Sequence, residues 1–375
     1  MLSMSWLLAW AIPVALLLDR LFGEPPAAVH PVVGMGRFLG LFGDRLCALR
    51  PAAALIGGAL VWTIGVVLVA AIAIAVENVV IYGLAPWLGG WRLALAALLL
   101  GLALKPMLAW RMLRDEVAAV EAALGRSLDE GRERLSRLVS RDTRRLSATE
   151  VRETAIETLA ENLNDSVIAP LFWFIVAGLP GAAVYRFANT ADAMWGYRGR
   201  WEWAGKWAAR ADDALSWIPA RLTGLAMIAP RPALLGPLWR EAGRTPSPNG
   251  GWPMGAMALR LDRALSKPGH YRLHPTGGEV TAADSATATR IAGRTMLALA
   301  VLLVLGAAAM RGGMHGGLIG GLRGGIGLGP GMNTDTRPGS TTRVSTGLIE
   351  GIEGIEGIEG IEHVGGLASL QGVTA

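Results

Sequence analysis

The chain has 375 residues, of which 52% are hydrophobic and 17% charged, and its mean hydropathy is +0.40. Soluble proteins usually carry about 25% charged residues, so this composition indicates a membrane protein. The single cysteine, Cys47, excludes an internal disulfide and any CxxC metal or redox site. The net charge of +5 does not predict a nucleic-acid partner, because the arginines stand in loops beside apolar runs.

Four stretches are apolar and long enough to be read as membrane spans, near residues 1–18, 52–76, 84–104 and 296–310. The loops 19–51 and 105–165 are rich in arginine, whereas the connection between the second and third spans is nearly uncharged. The positive-inside rule therefore predicts that both basic loops are cytoplasmic and that the N-terminus faces outward. The expected location is the bacterial inner membrane, as a multi-pass protein whose active face is cytoplasmic.

Two further apolar stretches are interrupted by helix-breaking residues. The stretch 166–184 contains two prolines and two glycines, and the stretch 215–238 contains four prolines and Arg221. Irregular backbone at membrane depth survives only where protein or a water-filled cavity covers it. We therefore expect both stretches to be re-entrant or interfacial segments rather than simple spans.

The predicted fold is an all-α, polytopic membrane helix bundle with these broken segments and a cytoplasmic helical face. Residues 1–310 form the membrane-embedded domain of this prediction. Residues 311–375 are rich in glycine and contain four consecutive Gly-Ile-Glu repeats. We expect this tail to be a low-complexity segment without chemistry.

The segment ETAIETLAENLNDSVIAP, residues 153–170, leads a series of carboxylates into an apolar run. On a helix, one arc of about 120° contains Glu150, Glu153, Glu157, Glu161, Asn164 and Asp165. A solvated helix face is the plain interpretation. The alternative is a site where a cation offsets the repulsion, either a bound metal or one of the arginines Arg141, Arg144, Arg145 and Arg152.

More polar pairs flank the broken segments. Asn189 and Asp192 share a helix face, and Asp212 and Asp213 precede the second broken segment. Each pair alone is typical of a helix cap or an ion pair. Hard oxygen ligands without His or Cys suit Mg²⁺, which binds through one or two carboxylates plus substrate phosphates. The clusters together therefore predict nucleotide or phosphate chemistry at a membrane face.

Standard nucleotide motifs are missing, since GRWEWAGKW and GMGRFLG both depart from the spacing that they would need. The turn-rich SPNGG segment, with Ser247 and Asn249, could form an anion-binding nest of backbone amides, although an ordinary turn is the simpler interpretation. His30 precedes a proline in GEPPAAVHPVVGMG and is either a packing residue or a substrate contact.

Five segments, in this order, resemble the integral-membrane cobinamide-phosphate synthases of cobalamin biosynthesis. They are LLLDRLFGEPPAAVHPVVGMGRFLG, RDTRRLSATEVRETAIETLAENLNDSVIAPLFWF, GLPGAAVYRFANTADAMWGYR, WAARADDALSWIPARLTGLAM and EAGRTPSPNGGWPMGAMALRL. The resemblance covers roughly residues 5–310, and the tail has no counterpart.

The resemblance implies an ATP-dependent ligation that joins adenosylcobyric acid to aminopropanol or its phosphate, giving adenosylcobinamide (phosphate), through an acyl phosphate. The implied cofactors are ATP and Mg²⁺. The implied partners are the corrinoid substrate, the amine, the lipid bilayer and other late membrane enzymes of the pathway.

The polar clusters described above supply candidates for each role in this reaction. Catalytic roles fall to Glu157, Glu161 and Asp165, and metal binding to Glu161, Asp165, Asp212 and Asp213. Nucleotide binding falls to Arg141, Asp142, Asn162, Asn189 and Asp192, and substrate binding to His30, Ser247 and Asn249. Spacing does not separate a metal ligand from a general base.

Two other classes of protein compete with the ligase. Acidic residues near the membrane also mark ion paths in transporters. A membrane sensor or scaffold, as in a distantly similar family linked to β-lactamase regulation, would need neither ATP nor a corrinoid.

Overall fold

The structure, a computed structural model, describes residues 4–84 and 91–309. Its helices are α1 (Met4–Phe22), α2 (Pro31–Cys47), α3 (Pro51–Asn78), α4 (Arg92–Leu104), α5 (Trp110–Leu124), α6 (Leu128–Ser136), α7 (Ala148–Leu163), α8 (Ala169–Trp195), α9 (Lys206–Ile228), α10 (Leu235–Ala242), α11 (Gly251–Leu261) and α12 (Ala282–Ala309). One antiparallel hairpin, β1 (Leu265–Lys267) and β2 (Tyr271–Leu273), completes this part of the chain. The all-α prediction is confirmed.

The helices pack as a bundle around α7 and α8. Helix α1 lies against α4 and α12, α3 runs along α8, and α9 crosses between α8 and α11. Helix α7 contacts α5, α11 and α12, and its apolar side chains Ile156, Leu159 and Leu163 are fully buried. A capping box fixes its start, because Ser147 and Glu150 each bind the backbone N–H of the other.

Four helical segments within the described residues are long and apolar enough to cross a membrane: Pro51–Gly83, Arg92–Leu124, Ala148–Trp195 and Ala282–Ala309. The first contains the predicted span near 52–76, and the second contains the predicted span near 84–104 from Arg92 onward. Residues 85–90 lie outside the described part. The stretch near 1–18 forms the apolar helix α1 but is not among the four. The stretch near 296–310 belongs to α12, which starts earlier than expected.

The third segment folds back on itself, as expected for the broken stretch 166–184. The backbone leaves helical geometry at Ala177 and Gly178, and Gly178 has φ 70° and ψ −161°. Twenty residues of straight helix would span about 30 Å. Nevertheless the Tyr185 hydroxyl lies 3.4 Å from Asp165 Oδ1. The arms before and after Gly178 are therefore antiparallel, and we call them the α8 hairpin.

Glu77, at the end of α3, closes the tip of this hairpin. Its Oε2 atom accepts a hydrogen bond from the Leu179 backbone N–H at 2.8 Å, which is the start of the returning arm. A carboxylate at a helix N-terminus accepts hydrogen bonds from the free N–H groups and interacts favourably with the positive end of the helix dipole. A Cβ atom on Gly178 would stand 2.3 Å from the same oxygen.

The second broken stretch, 215–238, is interrupted at residues 229–231. Helix α9 continues through Pro219 as far as Ile228, and the chain turns only at residues 229–231 before α10. Residues 185–195 belong to the returning arm of the α8 hairpin. The tail 311–375 lies outside the described residues.

We expect the substitution Gly178→Ala to destabilise the fold, because its backbone conformation is nearly restricted to glycine and costs another residue about 1–3 kcal/mol. The added methyl group would also displace Glu77. Thermal unfolding of the detergent-solubilised protein, followed by tryptophan fluorescence, measures the effect.

Gly40→Ala is the matched control. Gly40 is helical, and an added Cβ meets no atom within 4 Å, so alanine should be neutral or stabilising by up to about 1 kcal/mol. Equal unfolding midpoints for both variants would contradict the role of the hairpin tip.

Candidate functional site

The carboxylates of α7 do not form a solvated stripe. Glu150 caps the helix, and Glu153 is bound by Ser266, whose backbone N–H lies 3.1 Å from Glu153 Oε2. Asn164 does not line the pocket; its Oδ1 atom accepts a hydrogen bond from Thr223 Oγ1, and its Nδ2 atom donates to Asp165. Only three of the six residues in the predicted arc, Glu157, Glu161 and Asp165, therefore remain together on one pocket wall.

The three carboxylates line a pocket together with most of the predicted nucleotide-binding residues. Its lining includes Arg141, Glu157, Glu161, Asn162, Asp165, Asn189, Asp192, Lys267 and Tyr271, and we call it the carboxylate pocket. Four carboxylates thus share one site with two cations. Burying like charges in this way is costly unless a counter-charge is bound.

A π-helical turn, residues 164–168, joins α7 to α8 and positions Asp165. Such turns often occur at functional sites, because the extra residue redirects the side chains around it. Asp165 Oδ1 accepts hydrogen bonds from Asn164 Nδ2 at 2.7 Å and from the Tyr185 hydroxyl. These bonds hold Asp165 at the base of the α8 hairpin, beside the returning arm.

Arg186, buried to 99%, joins the arms behind the pocket. Its Nη1 atom donates to the Asp165 carbonyl at 3.2 Å, to Ser166 Oγ and to Asn189 Oδ1. Asn189 in turn donates to Asp212 Oδ1 at 3.4 Å. Desolvation, followed by repulsion from Asp192 and Asp165, raises the pKa of Asp212 well above its usual value. Asp212 therefore belongs to the same electrostatic cluster.

Arg141 is the one predicted balancing arginine that reaches the pocket. Its guanidinium binds Thr154 Oγ1 and lies 3.7 Å from Glu157 Oε2. Arg152 instead pairs with Glu121 at 2.8 Å, and Arg144 pairs with Asp142 at 2.9 Å. The Arg144 guanidinium holds the pKa of Asp142 well below its usual value. Asp142 lies outside the lining of the carboxylate pocket.

The SPNGG segment lies beside the pocket without lining it. Ser247 Oγ accepts from the backbone N–H groups of Asn249 and Gly250, and buried Asn249 donates to the Asp213 carbonyl at 2.8 Å. A Cβ on Gly250 would lie 3.0 Å from Glu161 Oε1, so glycine lets this loop approach the carboxylate. Both Ser247 and Asn249 hold the loop in place. Asp213 contributes its backbone oxygen to this contact.

His30 lies in a different cluster. Its Nδ1 atom accepts from the Val32 N–H at the start of α2, and its Nε2 atom lies 2.9 Å from Glu24 Oε2. The same Glu24 oxygen is 3.1 Å from Lys105 Nζ, which is 3.7 Å from Asp19 Oδ1. His30 therefore caps a helix and joins a buried charge cluster, whereas its predicted contact with substrate stays a prediction.

Lys267 and Tyr271, which no sequence pattern indicated as site residues, reach the pocket from the β-hairpin. Alternating residues around the Pro268–Gly269 pair are a hairpin signal, yet the short strands gave no hint of what they pack against. Burial and the nearby Arg141 guanidinium lower the pKa of Lys267. Burial, followed by the charges of Glu157 and Glu161, raises the pKa of Tyr271.

The donor set of the pocket fits Mg²⁺ carried by a phosphorylated ligand. Among the residues that the structure describes, no three or more His, Cys, Asp or Glu side chains form a preformed metal site. Mg²⁺ does not need one, because phosphate oxygens and water complete its octahedron. Buried Glu157 Oε1 and Arg141 Nη1 have no hydrogen-bond partner in the described part of the chain, which leaves one acceptor and one donor for such a ligand.

Comparison with known proteins agrees with the family resemblance. A family profile described as CobD/Cbib protein matches residues 12–309. The cobalamin biosynthesis protein CobD of Chromobacterium violaceum is 40% identical over 313 residues, which cover 79% of this chain and 97% of the relative. The protein of the same name from Dehalococcoides mccartyi is 37% identical over 269 residues, covering 69% of this chain and 84% of the relative.

A third relative, the CobD protein of Halalkalibacterium halodurans, is 35% identical over 314 residues, which cover 79% of this chain and 95% of the relative. No solved structure gives a significant match. The matched region includes every residue of the carboxylate pocket. The chain therefore belongs to the CobD/CbiB family of cobalamin biosynthesis proteins.

Proposed function

We propose that this protein joins adenosylcobyric acid to aminopropanol or aminopropanol phosphate in an ATP-dependent amide ligation. The observation that carries the proposal is the carboxylate pocket, where four carboxylates converge with Arg141 in a chain of this family. Amide formation from a free carboxylate needs an activating phosphoryl donor. The pocket offers groups for the metal, for phosphate and for a proton.

ATP would activate the carboxylate of the corrinoid by transferring its terminal phosphoryl group to a carboxylate oxygen, with ADP as the leaving group. The amine would then attack this acyl phosphate, forming the amide and releasing inorganic phosphate. In this proposal, Glu161 and Asp165 would hold Mg²⁺, and the carboxylates of Asp212 and Asp213 would add negative charge that favours the metal. Arg141 binds phosphate oxygens through the Nη1 atom that lacks a partner within the described residues. Bound Mg²⁺ and phosphate would thereby offset the charges of the pocket carboxylates and of Arg141.

We assign Glu157 as the acceptor of the amine proton, because its Oε1 atom has no hydrogen-bond partner in the described part of the chain. A general base must reach the proton that it removes, and a fully bonded carboxylate would have to break a bond first. Asn162 and Asn189 act as positioning residues. Asn162 is hydrogen-bonded to Thr158 and Ser166, and Asn189 is hydrogen-bonded to Arg186 and Asp212.

The decisive experiment incubates the purified protein with adenosylcobyric acid, ATP and Mg²⁺, together with either aminopropanol or its phosphate. We expect mass spectrometry to detect the amide product and stoichiometric ADP with one of the two amines. Removal of Mg²⁺ with a chelator should abolish product, and added Mg²⁺ should restore it. Product that forms without ATP or Mg²⁺ would contradict the proposal.

Transport is tested in the same preparation. Uptake of labelled corrinoid into sealed vesicles without ATP, combined with no amide product from either amine, would favour a transporter. Absence of corrinoid binding and of ATP binding would favour a sensor or scaffold. Either result would overturn the ligase.

We expect Glu157→Gln, Glu161→Gln and Asp165→Asn each to lower the rate of product formation by at least about 100-fold, because each removes a metal ligand or a base. The measurement is the initial rate at saturating ATP. Each variant should retain the size-exclusion profile of the unmodified protein.

Glu133→Gln is the matched control for these variants. Glu133 lies on α6 with 72% of its side chain exposed, outside the pocket, so this variant should retain full activity. Full activity of all three pocket variants would instead show that the acidic residues have only a structural role.

A further inference from the structure

The β-hairpin presents two of its side chains to the carboxylate pocket. In its register Leu265 pairs with Leu273, and Lys267 pairs with Tyr271. Residues two apart on a strand point to the same face, so all four side chains share one face of the hairpin. The leucines are fully buried in the core. Lys267 and Tyr271, two residues nearer the turn on the same face, line the pocket.

Glu153 holds this hairpin in place. Its carboxylate is buried, and Oε2 accepts hydrogen bonds from both the backbone N–H and the hydroxyl of Ser266. Glu153 precedes Glu157 by four residues on α7, so the anchor stands about 6 Å along the helix axis from the pocket wall. The strand residue next to Lys267 is thus bonded to the helix that carries the carboxylates.

The turn of the hairpin does not contribute to this wall. Residues 268–270 are exposed, and the His270 N–H closes the turn on the Lys267 carbonyl at 2.9 Å. The hairpin therefore has a fixed base and an exposed tip. The position of Lys267 follows from the base, and a substitution at the tip leaves that base unchanged.

Lys267 and Arg141 line the same pocket as Glu157 and Glu161, so the two cations repel each other and are attracted by both carboxylates. Neighbouring carboxylates offset this repulsion in part. A phosphate group carries up to two negative charges and three acceptor oxygens, so it satisfies two converging cations better than a single carboxylate does. Two cations among four carboxylates also match a ligand that brings both phosphate and a divalent metal.

We propose that Lys267 is a substrate-binding residue that, together with Arg141, binds a phosphoryl group in the carboxylate pocket. This inference rests on the proposed ligase and deepens it, because it assigns a second cation to the phosphate site. The phosphoryl group belongs either to the nucleotide or to the phosphorylated amine. Tyr271, paired with Lys267 across the hairpin, forms the adjoining wall.

Equilibrium binding to the purified protein tests the inference without relying on turnover. The probes are Mg·ADP, aminopropanol phosphate and adenosylcobyric acid. We expect Lys267→Met to weaken binding of one phosphorylated probe by at least about 10-fold, while adenosylcobyric acid binds within about 2-fold of the unmodified protein. The affected probe identifies the source of the phosphoryl group.

Lys267→Arg keeps the charge and should restore most of the lost affinity, which a purely structural role in packing would not predict. His270→Ala, at the exposed tip, is the control and should bind all probes normally. If Lys267→Met is poorly folded by size-exclusion chromatography, Lys267→Gln replaces it as a polar variant of similar length.

The inference is overturned if a folded Lys267 variant binds both phosphorylated probes as the unmodified protein does, or if the unmodified protein binds neither. Failure of the ligase is a separate outcome. Lysine-dependent binding of a phosphorylated probe without any amide product would refute the proposed reaction while leaving the phosphate site in place.

Discussion

The reversal of the chain at Ala177–Gly178 is the constraint on which the site depends. Asp165 precedes the reversal, and Asn189 and Asp192 follow it, so these residues meet only because the two arms are antiparallel. At the tip, Glu77 satisfies the first free N–H of the returning arm. At the base, buried Arg186 bonds to both arms. Polar contacts at the tip and at the base thus fix the hairpin.

The same architecture explains how so many charged groups share one interior region. Each carboxylate of α7 that leaves the pocket has its own donor, as Glu150 has Ser147 and Glu153 has Ser266. The carboxylates that stay in the pocket have fewer donors than acceptor atoms, and Glu157 keeps one oxygen without a partner among the described residues. On α7, Glu150 and Glu153 are thus each held by a serine, whereas Glu157 keeps an acceptor atom that a ligand can use. That difference is the physical basis for separating structural acids from functional ones along a single helix.

Periodicity and chain breakers predicted much of this arrangement. The 3.6-residue repeat placed Glu157, Glu161 and Asp165 on one helix face, and the glycines and prolines of 166–184 predicted a broken segment. The π-helical turn at 164–168 could not be predicted in this way, because it departs from the 3.6-residue repeat. Asn164 there bonds to both Thr223 and Asp165 and does not line the pocket. Contacts between distant segments were also out of reach. Neither the link from Glu24 to Lys105 nor the approach of Lys267 to α7 has a local signal.

The start of α12 shows the same limit for helix boundaries. Hydropathy placed the last span near 296–310, since the preceding residues are polar. The helix nevertheless begins at Ala282, because Asp284 accepts hydrogen bonds from the backbone N–H and the hydroxyl of Thr281 just before the first turn. Asp284 is also paired with Arg263 at 2.9 Å. Side-chain capping thus extends a helix into sequence that is too polar to be read as a span.

The returning arm that carries pocket residues packs against the middle of α3, a helix that is long and apolar enough to cross a membrane. Gly65 packs against the ring of Phe187, on the returning arm between Arg186 and Asn189. Gly65 is fourteen residues from the start of α3, or about 21 Å along its axis. At this height α3 exposes the large apolar side chains Ile64, Val67 and Leu68, and the exposed Thr63 hydroxyl is bonded to the Ala59 carbonyl of the same helix. The polar pocket therefore lies behind an apolar wall. Because hydrocarbon cannot solvate carboxylates, the protein and bound cations must offset the charge of the carboxylates that line the pocket.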